Sequence, residues 1–138
     1  AAAGPARRGR VLAAEDNAVN KKLVRRLLEK AGFEADVVEN GREAVEAVAR
    51  VEYDAVLMDC QMPEVDGFEA TATIRAREAG TTRHVPIIAL TASAMESDRE
   101  RCLASGMDDY LSKPIKPGEL AEALQRWVPG SVETSATS

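Results

Sequence analysis

Carboxylate, hydroxyl and ammonium groups stand at the ends of four short segments of this 138-residue chain. Two apolar runs, Val11–Ala14 and Ala55–Met58, stop at acids, and two further segments stop at a hydroxyl and at an ammonium. The residues at these ends are Glu15 with Asp16, Asp59, Thr91 and Lys113. A strand that is apolar throughout is typical of a buried parallel sheet, and open α/β folds bind ligands at the carboxyl edge of such a sheet. We therefore expect these side chains to meet at one edge.

Three carboxylates at one edge repel one another by about 4 kcal/mol per close pair at a surface-like dielectric, so they require a cation. Mg²⁺ prefers oxygen ligands and keeps several waters. This chemistry predicts Asp16 and Asp59 as direct ligands, Glu15 as a ligand directly or through water, and a backbone carbonyl from the loop after Asp59. An Asp carboxylate is also a nucleophile toward phosphorus, with Lys113 and Thr91 placed to take phosphoryl oxygens. Asp59 would then become an aspartyl phosphate.

Strand and helix patterns alternate along the chain and place these groups. Apolar residues at helical spacing follow Asp16, and Gly32 stands where a left-handed helix end is expected. Residues 33–37 alternate apolar and acidic, as in a half-buried edge strand. Asn40 and Glu43 have the spacing of a capping box. Further helices are predicted at about 68–78, at about 95–104, and from Pro117, a favoured first helical position. The apolar stripe of the first helix comprises Val19, Leu23, Val24, Leu27, Leu28 and Ala31.

Five βα units predict an α/β fold, a doubly wound parallel sheet with helices on both faces. We expect one domain over residues 10–128, with a disordered linker over 1–9 and a disordered tail over 129–138.

The net charge of −5, with basic residues interspersed among acids, argues against direct nucleic-acid binding. Cys60 and Cys102 lie in no metal or CxxC spacing and predict two reduced thiols in a cytosolic protein. No apolar run is long enough to cross a bilayer, so we expect no membrane contact by this domain.

Four motifs taken together resemble the receiver domain of two-component response regulators. They are Glu15-Asp16-Asn17, the segment Asp59-Cys60-Gln61-Met62-Pro63 with Asp66-Gly67 behind it, Leu90-Thr91-Ala92 and Lys113-Pro114. The match covers about residues 10–128. The stretch from Ala89 to Met95, and that from Gly106 to Ile115, are similar in particular to receivers attached to hybrid sensor histidine kinases.

This resemblance implies a flavodoxin-like sheet of order 2-1-3-4-5 and a carbonyl ligand from Gln61. It implies that a histidine kinase or histidine phosphotransfer domain donates the phosphoryl group, and that Thr91 and Tyr110 form a switch. The domain itself would carry only self-phosphorylation and self-dephosphorylation chemistry. It would lie in the cytoplasm, alone or as the cytoplasmic part of a membrane-anchored sensor kinase. The oligomeric state is left open.

Three other functions stay open from the residues alone. A stand-alone aspartyl-phosphate phosphohydrolase would need a second acid two residues after the nucleophile, where this chain has Gln61. A flavodoxin-like cofactor binder would need a phosphate loop after the first strand, and no such sequence stands there. A docking module independent of phosphorylation would not need the acceptor residues, and all of them are present. Glu15 and Asp16 could also merely complement a helix dipole.

Overall fold

The computed structural model describes residues 9–60, 66–81, 84–91, 96–113 and 115–128, with only the backbone for residues 96–98. Strands and helices alternate within these ranges. The strands are β1 (Gly9–Ala14), β2 (Phe33–Val38), β3 (Ala55–Asp59), β4 (Ile87–Thr91) and β5 (Asp109–Ser112). The helices are α1 (Ala18–Lys30), α2 (Gly41–Arg50), α3 (Gly67–Glu78), α4 (Glu96–Ala104) and α5 (Pro117–Trp127). Of the linker expected over 1–9 and the tail expected over 129–138, residues 1–8 and 129–138 lie outside the described residues, whereas Gly9 is the first residue of β1.

The strands form one sheet of order β2-β1-β3-β4-β5, and every neighbouring pair is parallel. The predicted flavodoxin-like order is therefore confirmed. In this order β1 and β3 are neighbours, with Ala14 opposite Met58, so the residues that follow β1 lie beside the end of β3. Thr91 ends β4 opposite Ser112 of β5. The sheet thus brings the four predicted strand ends to one edge.

Two apolar clusters, one on each face of the sheet, form the core. Residues 11–14 of β1 and all residues of β3 and β4 are buried, and their apolar side chains alternate between the two clusters, because side chains along a strand point to opposite faces. Residues of α2, α3 and α4 join one cluster, and residues of α1 and α5 join the other. A helix layer on each face explains why these central strands are apolar throughout. No helix in the described ranges has the length and apolar character required to span a bilayer.

The apolar stripe predicted for α1 is only partly correct. Val24, Leu27 and Leu28 are buried, whereas Val19 is 74% exposed and Leu23 is 36% exposed. At 100° per residue the three buried side chains cluster on one arc, and Leu23 and Val19 fall about 90° and about 130° from its centre. The sheet covers that arc alone. Two apolar side chains near the start of α1 are therefore left on the surface.

The start of α2 uses half of the predicted capping box. The Asn40 side chain accepts a hydrogen bond from the backbone N–H of Glu43, at 2.9 Å. The Glu43 carboxylate, however, accepts from the backbone N–H of Glu39, at 2.9 Å, rather than from Asn40. Asn40 is the N-cap residue, with an extended backbone, and the return bond reaches the residue before it. The predicted left-handed position after α1 is confirmed, since Gly32 has a φ of 94°.

Arg75 of α3 joins three parts of the chain at the sheet edge opposite to the one that collects the acids. Its guanidinium contacts the carboxylates of Glu78 and Asp108, both at 2.7 Å, and donates to the carbonyls of Val85 and Gly106 at 2.9 Å. The same Asp108 carboxylate accepts from the backbone N–H of Ile87, at 2.8 Å. Both carboxylates are largely buried. Arg75 therefore fixes the segment before β4 and the turn before β5 onto α3.

We expect Arg75→Met to lower the free energy of unfolding by about 3 kcal/mol, because it leaves two largely buried carboxylates without their cation. Urea unfolding followed by circular dichroism measures this change. Arg77→Met is the matched control, since Arg77 lies on the same helix with an exposed side chain, and it should change stability by less than about 0.5 kcal/mol. Equal losses in the two variants would contradict the structural role of Arg75.

Candidate functional site

Three carboxylates converge at the carboxyl edge of the sheet. One oxygen each from Glu15, Asp16 and Asp59 lies within 4.8 Å of the other two. Glu15 and Asp59 are buried, at 0% and 3% exposure, whereas Asp16 is exposed. The predicted acidic cluster is therefore present, with two acids inside the site and one at its mouth.

Lys113 supplies positive charge to this cluster. Its Nζ lies 2.9 Å from Asp59 Oδ2 and 3.2 Å from Glu15 Oε1. Burial alone lowers the pKa of Lys113, but the hydrogen bond to Asp59 and the charges of Asp59 and Glu15 outweigh it, so that the pKa is raised. Lys113 directly follows β5. Its backbone N–H donates to the carbonyl of Thr91, the last residue of β4, at 2.8 Å. The ammonium is thus a fixed cation above the end of β3.

Glu15 is held by backbone contacts and still has an oxygen available for a metal. Its N–H donates to the carbonyl of Val38 at 3.0 Å, and its Oε2 accepts from the N–H of Asn17 at 3.1 Å. Its buried Oε1 accepts no hydrogen bond from any described residue, although Lys113 Nζ is at ion-pair distance. A buried carboxylate oxygen that has the Lys113 ammonium at ion-pair distance and two further carboxylates beside it fits a hard divalent cation that prefers oxygen ligands.

Gly67 allows α3 to start against the backbone of Asp59. A Cβ at position 67 would collide with the Asp59 carbonyl oxygen and would approach Cys60 Cα to 3.0 Å. The Gly67 N–H donates to the carbonyl of Cys60 at 3.3 Å, and the side chain of Asp66 caps the helix by accepting from Glu69 N–H. The sequence predicted only a loop at Gly67. Its role in packing α3 onto the strand end depends on a contact between backbones that leaves no periodic signal in the sequence.

Thr91 and Tyr110 lie on adjacent strands and share a face of the sheet. Thr91 is buried and pairs with Ser112, and Tyr110 precedes Ser112 by two residues, which is one strand repeat. Tyr110 is half-buried, and the Arg99 guanidinium of α4 lies 5.5 Å from the centre of its ring. The structure therefore places both predicted switch residues on the α4 side of the site. Gln61, the predicted carbonyl ligand, lies outside the described residues, as does Pro114.

Cys60, the residue after Asp59, is held as a thiol in this fold. Burial, followed by the nearby Cys102, raises the pKa of the Cys60 thiol well above its ordinary range. A neutral thiol is a weak nucleophile. The three acids can therefore bind a divalent cation, and the Asp59 carboxylate lies beside the Lys113 ammonium. A carboxylate, a metal and a fixed cation are the groups that phosphoryl transfer requires.

Comparison with known proteins identifies the family. The family model described as the response regulator receiver domain matches residues 11–125. The chain belongs to the response regulator receiver domain family. Its parallel sheet of order β2-β1-β3-β4-β5 is thus the fold of a receiver domain.

Curated relatives of this receiver domain are much longer proteins. Hybrid signal transduction histidine kinase I of Dictyostelium discoideum is 42% identical over 134 residues, which are 94% of this chain and 8% of that protein. Sensor protein GacS of Pseudomonas syringae pv. syringae is 50% identical over 119 residues, covering 86% of this chain and 13% of that protein. The chain therefore spans a small part of the length of the relatives it matches.

Solved structures agree with the fold. The receiver domain of sensor histidine kinase PA1611 from Pseudomonas aeruginosa PAO1, with a magnesium ion coordinated in its active site cleft, has a TM-score of 0.80 and 49% identity, covering 88% of this chain and 98% of that one. The receiver domain of Ssk1, solved with the histidine phosphotransfer protein Ypd1 of Saccharomyces cerevisiae, has a TM-score of 0.80 and 33% identity, covering 87% and 88%.

We expect Lys113→Met to destabilise the metal-free receiver domain by about 3 kcal/mol at neutral pH, because it removes the cation from two buried carboxylates. Urea unfolding without divalent cations measures this loss. Adding Asp59→Asn should recover part of it, since one of the two charges is then absent, and a double-mutant cycle quantifies the coupling. Additive losses would contradict the ion pair.

The pH dependence of stability provides the control for this ion pair. Because the folded state raises the pKa of Lys113, the contribution of the pair is fully present below the ordinary lysine pKa of 10.5 and is lost as the pH rises through the higher folded value. The parent should therefore lose stability in that alkaline range more steeply than Lys113→Met. Parallel curves for the two proteins would show that the charge of Lys113 does not stabilise the fold.

Proposed function

We propose that this receiver domain accepts a phosphoryl group from a phosphohistidine onto Asp59 and transmits the event as a signal in a two-component or phosphorelay pathway. The observation that carries the proposal is the position of Asp59, which is buried at the end of β3 with Lys113 Nζ at 2.9 Å and with Glu15 and Asp16 beside it. This site has a nucleophile, a fixed cation and a place for a metal.

The transfer uses the residues of this edge in defined roles. An oxygen of Asp59 attacks the phosphorus, the phosphorus–nitrogen bond to the donor imidazole breaks, and the imidazole leaves with the bonding electrons. Lys113 shifts from the Asp59 carboxylate to a phosphoryl oxygen and neutralises its charge, and the hydroxyl of Thr91 donates to another oxygen. Such positioning and charge neutralisation provide most of the catalysis in phosphoryl transfer.

We propose Mg²⁺ as the metal of this site, with Asp16 and Asp59 as direct ligands, Glu15 as a ligand directly or through water, and the Gln61 carbonyl as a further ligand. The convergence of the three carboxylates, with Glu15 Oε1 buried among them, supports this proposal, as does the magnesium ion in the cleft of the related PA1611 receiver. A bound Mg²⁺ supplies positive charge to a phosphoryl oxygen and offsets the repulsion among the acids.

The phosphodonor is a histidine of another domain, in a histidine kinase or a histidine phosphotransfer domain. The exposed Val19 and Leu23 of α1 support this, because they are apolar side chains near the start of a helix that begins at Ala18, two residues after the acidic pair. The related Ssk1 receiver is bound to the phosphotransfer protein Ypd1. We place the domain in the cytoplasm, within a hybrid sensor histidine kinase.

We propose that Thr91 and Tyr110 form a switch, because they lie on the same face of the sheet on adjacent strands. When the Thr91 hydroxyl moves toward a phosphoryl oxygen, it vacates space on the face where Tyr110 stands. Tyr110 then turns inward and alters the surface formed by α4, β5 and α5. A ligand can shift such an equilibrium only by its differential affinity for the two states, typically a coupling of about 1–3 kcal/mol.

We expect Asp59→Asn to abolish phosphorylation and to preserve the fold, because Asn is nearly isosteric but is not a nucleophile. The measurement is mass spectrometry after incubation with acetyl phosphate and Mg²⁺, in search of one added phosphoryl group that is stable to acid and labile to base. Asp54→Asn is the matched control, since Asp54 precedes the other end of the same strand, and it should be labelled as the parent is. Undiminished labelling of Asp59→Asn would reject Asp59 as the acceptor. Sustained release of phosphate with no stable adduct would instead favour a phosphohydrolase.

Mg²⁺ should raise the melting temperature of the unphosphorylated domain by binding the folded state preferentially; free Mg²⁺ at 100 times its dissociation constant adds about 2.7 kcal/mol. Asp16→Ala should remove most of this gain. Glu29→Ala, an exposed acid near the other end of α1, should retain it. If both variants respond to Mg²⁺ as the parent does, the metal assignment is wrong.

A further inference from the structure

The two cysteines of the chain touch each other inside the fold. Cys60 and Cys102 are 42 residues apart in sequence, yet their Sγ atoms are separated by only 3.7 Å. No disulfide joins them in the structure. The sequence spacing predicted two reduced thiols and gave no indication of this contact, which depends on how α4 packs onto the sheet.

Cys60 is the fixed member of the pair. It follows Asp59 directly, its N–H donates to the carbonyl of Leu90 at 3.1 Å, and its own carbonyl accepts from Gly67 N–H at 3.3 Å. These bonds attach Cys60 to β4 on one side and to the start of α3 on the other. A covalent bond to its sulfur would therefore be a bond to the rigid end of β3.

Cys102 attaches α4 to the apolar core. Among Arg99–Ala104, the side chains of α4 that the structure describes, Cys102 is the one that is buried, and the five others are exposed. Within this part of α4, the Cys102 side chain is the one that packs into the apolar core, and it contacts Cys60. The sulfur contact lies between α4 and the residue next to the phosphoacceptor.

We propose that Cys60 and Cys102 form a redox modification site, at which a hydroperoxide converts the two thiols into an intramolecular disulfide that locks α4 to the end of β3. In the first step the Cys60 sulfur takes one oxygen of the peroxide, the oxygen–oxygen bond breaks, and water or an alcohol leaves. In the second step the Cys102 sulfur displaces that oxygen as water and the sulfur–sulfur bond forms. The two sulfurs together lose two electrons, which the peroxide gains.

The geometry suits this reaction. A disulfide bond is about 2.0 Å long, so the sulfurs must approach by less than about 2 Å, within the reach of side-chain rotation and a small shift of α4. Cys60 retains 6% exposure and Cys102 only 1%, so the oxidant meets Cys60 first and Cys102 resolves the product. In the closed fold both thiols are buried and Cys60 is the weak nucleophile described above, so the reaction proceeds only when α4 opens and exposes the Cys60 sulfur to the oxidant. The disulfide then prevents further opening.

The test treats the dithiothreitol-reduced chain with hydrogen peroxide, without phosphodonor, and reads the product by intact mass and non-reducing peptide mapping. We expect a monomer that has lost two hydrogen atoms, a linked peptide containing Cys60 and Cys102, and full reversal by dithiothreitol. A cysteine peptide in the same tube is the internal control for oxidation. If the peroxide oxidises this peptide while Cys60 and Cys102 stay unreacted, the proposal is overturned. Oxygen adducts alone, or disulfides only between chains, would also overturn it.

The proposed restriction of α4 opening by the disulfide is tested by amide hydrogen exchange across residues 99–104. Oxidation should slow exchange there by about tenfold or more in the parent, because a cross-link restricts the opened states of the helix. Peroxide should leave exchange unchanged in Cys102→Ser, which cannot form the bond, and in Cys60→Ser. A disulfide that forms without slowing exchange would overturn the lock. Since no phosphoryl group is present, these outcomes are independent of the acceptor role proposed for Asp59.

Discussion

The repulsion among three carboxylates at one sheet edge is the constraint on which the rest of this structure depends. Glu15 and Asp59 are both buried, and two unbalanced charges there would be costly. Lys113 balances them from across the sheet, reaching past β4 to lie within 3.2 Å of both. The parallel order β2-β1-β3-β4-β5 makes this possible, because it places the ends of β1, β3, β4 and β5 at one edge.

The same arrangement has the ligand atoms that a metal requires. Asp59 lies beside an ammonium, and the oxygens of Glu15, Asp16 and Asp59 converge within 4.8 Å of one another. The site is therefore incompletely satisfied without its metal, and proteins commonly accept such local cost at functional positions. At the opposite edge, Arg75 meets two carboxylates and two carbonyls with short contacts. Each edge of the sheet thus holds two buried or largely buried carboxylates on one cation, and the edge with Lys113 also has the converging oxygens that could bind a metal.

The helices around the site differ in how firmly they are attached. α1 buries Val24, Leu27 and Leu28 but leaves Val19 exposed beside the acidic pair, which suits a surface for a partner. The described part of α4 buries Cys102 alone, which suits an element that shifts. α3 is fixed at its first residue, where Gly67 meets the backbone of Asp59. The end of β3, which carries Asp59, therefore lies between the fixed start of α3 and the lightly attached α4.

The sequence by itself determined the element types, the strand ends that carry chemistry and the acidic cluster, because apolar runs, helical spacing and terminal charges are local patterns. The strand order came from the resemblance of four motifs, and the sheet confirms it. Only the tertiary structure decided that Lys113 reaches both Asp59 and Glu15, that Arg75 joins Glu78 to Asp108, and that Cys60 touches Cys102. It also decided that Val19 is exposed, since the width of the arc that the sheet covers, and not the apolar spacing, selects what α1 buries. Each of these contacts joins residues distant along the chain, and their distances are fixed by packing between elements, which no local pattern encodes.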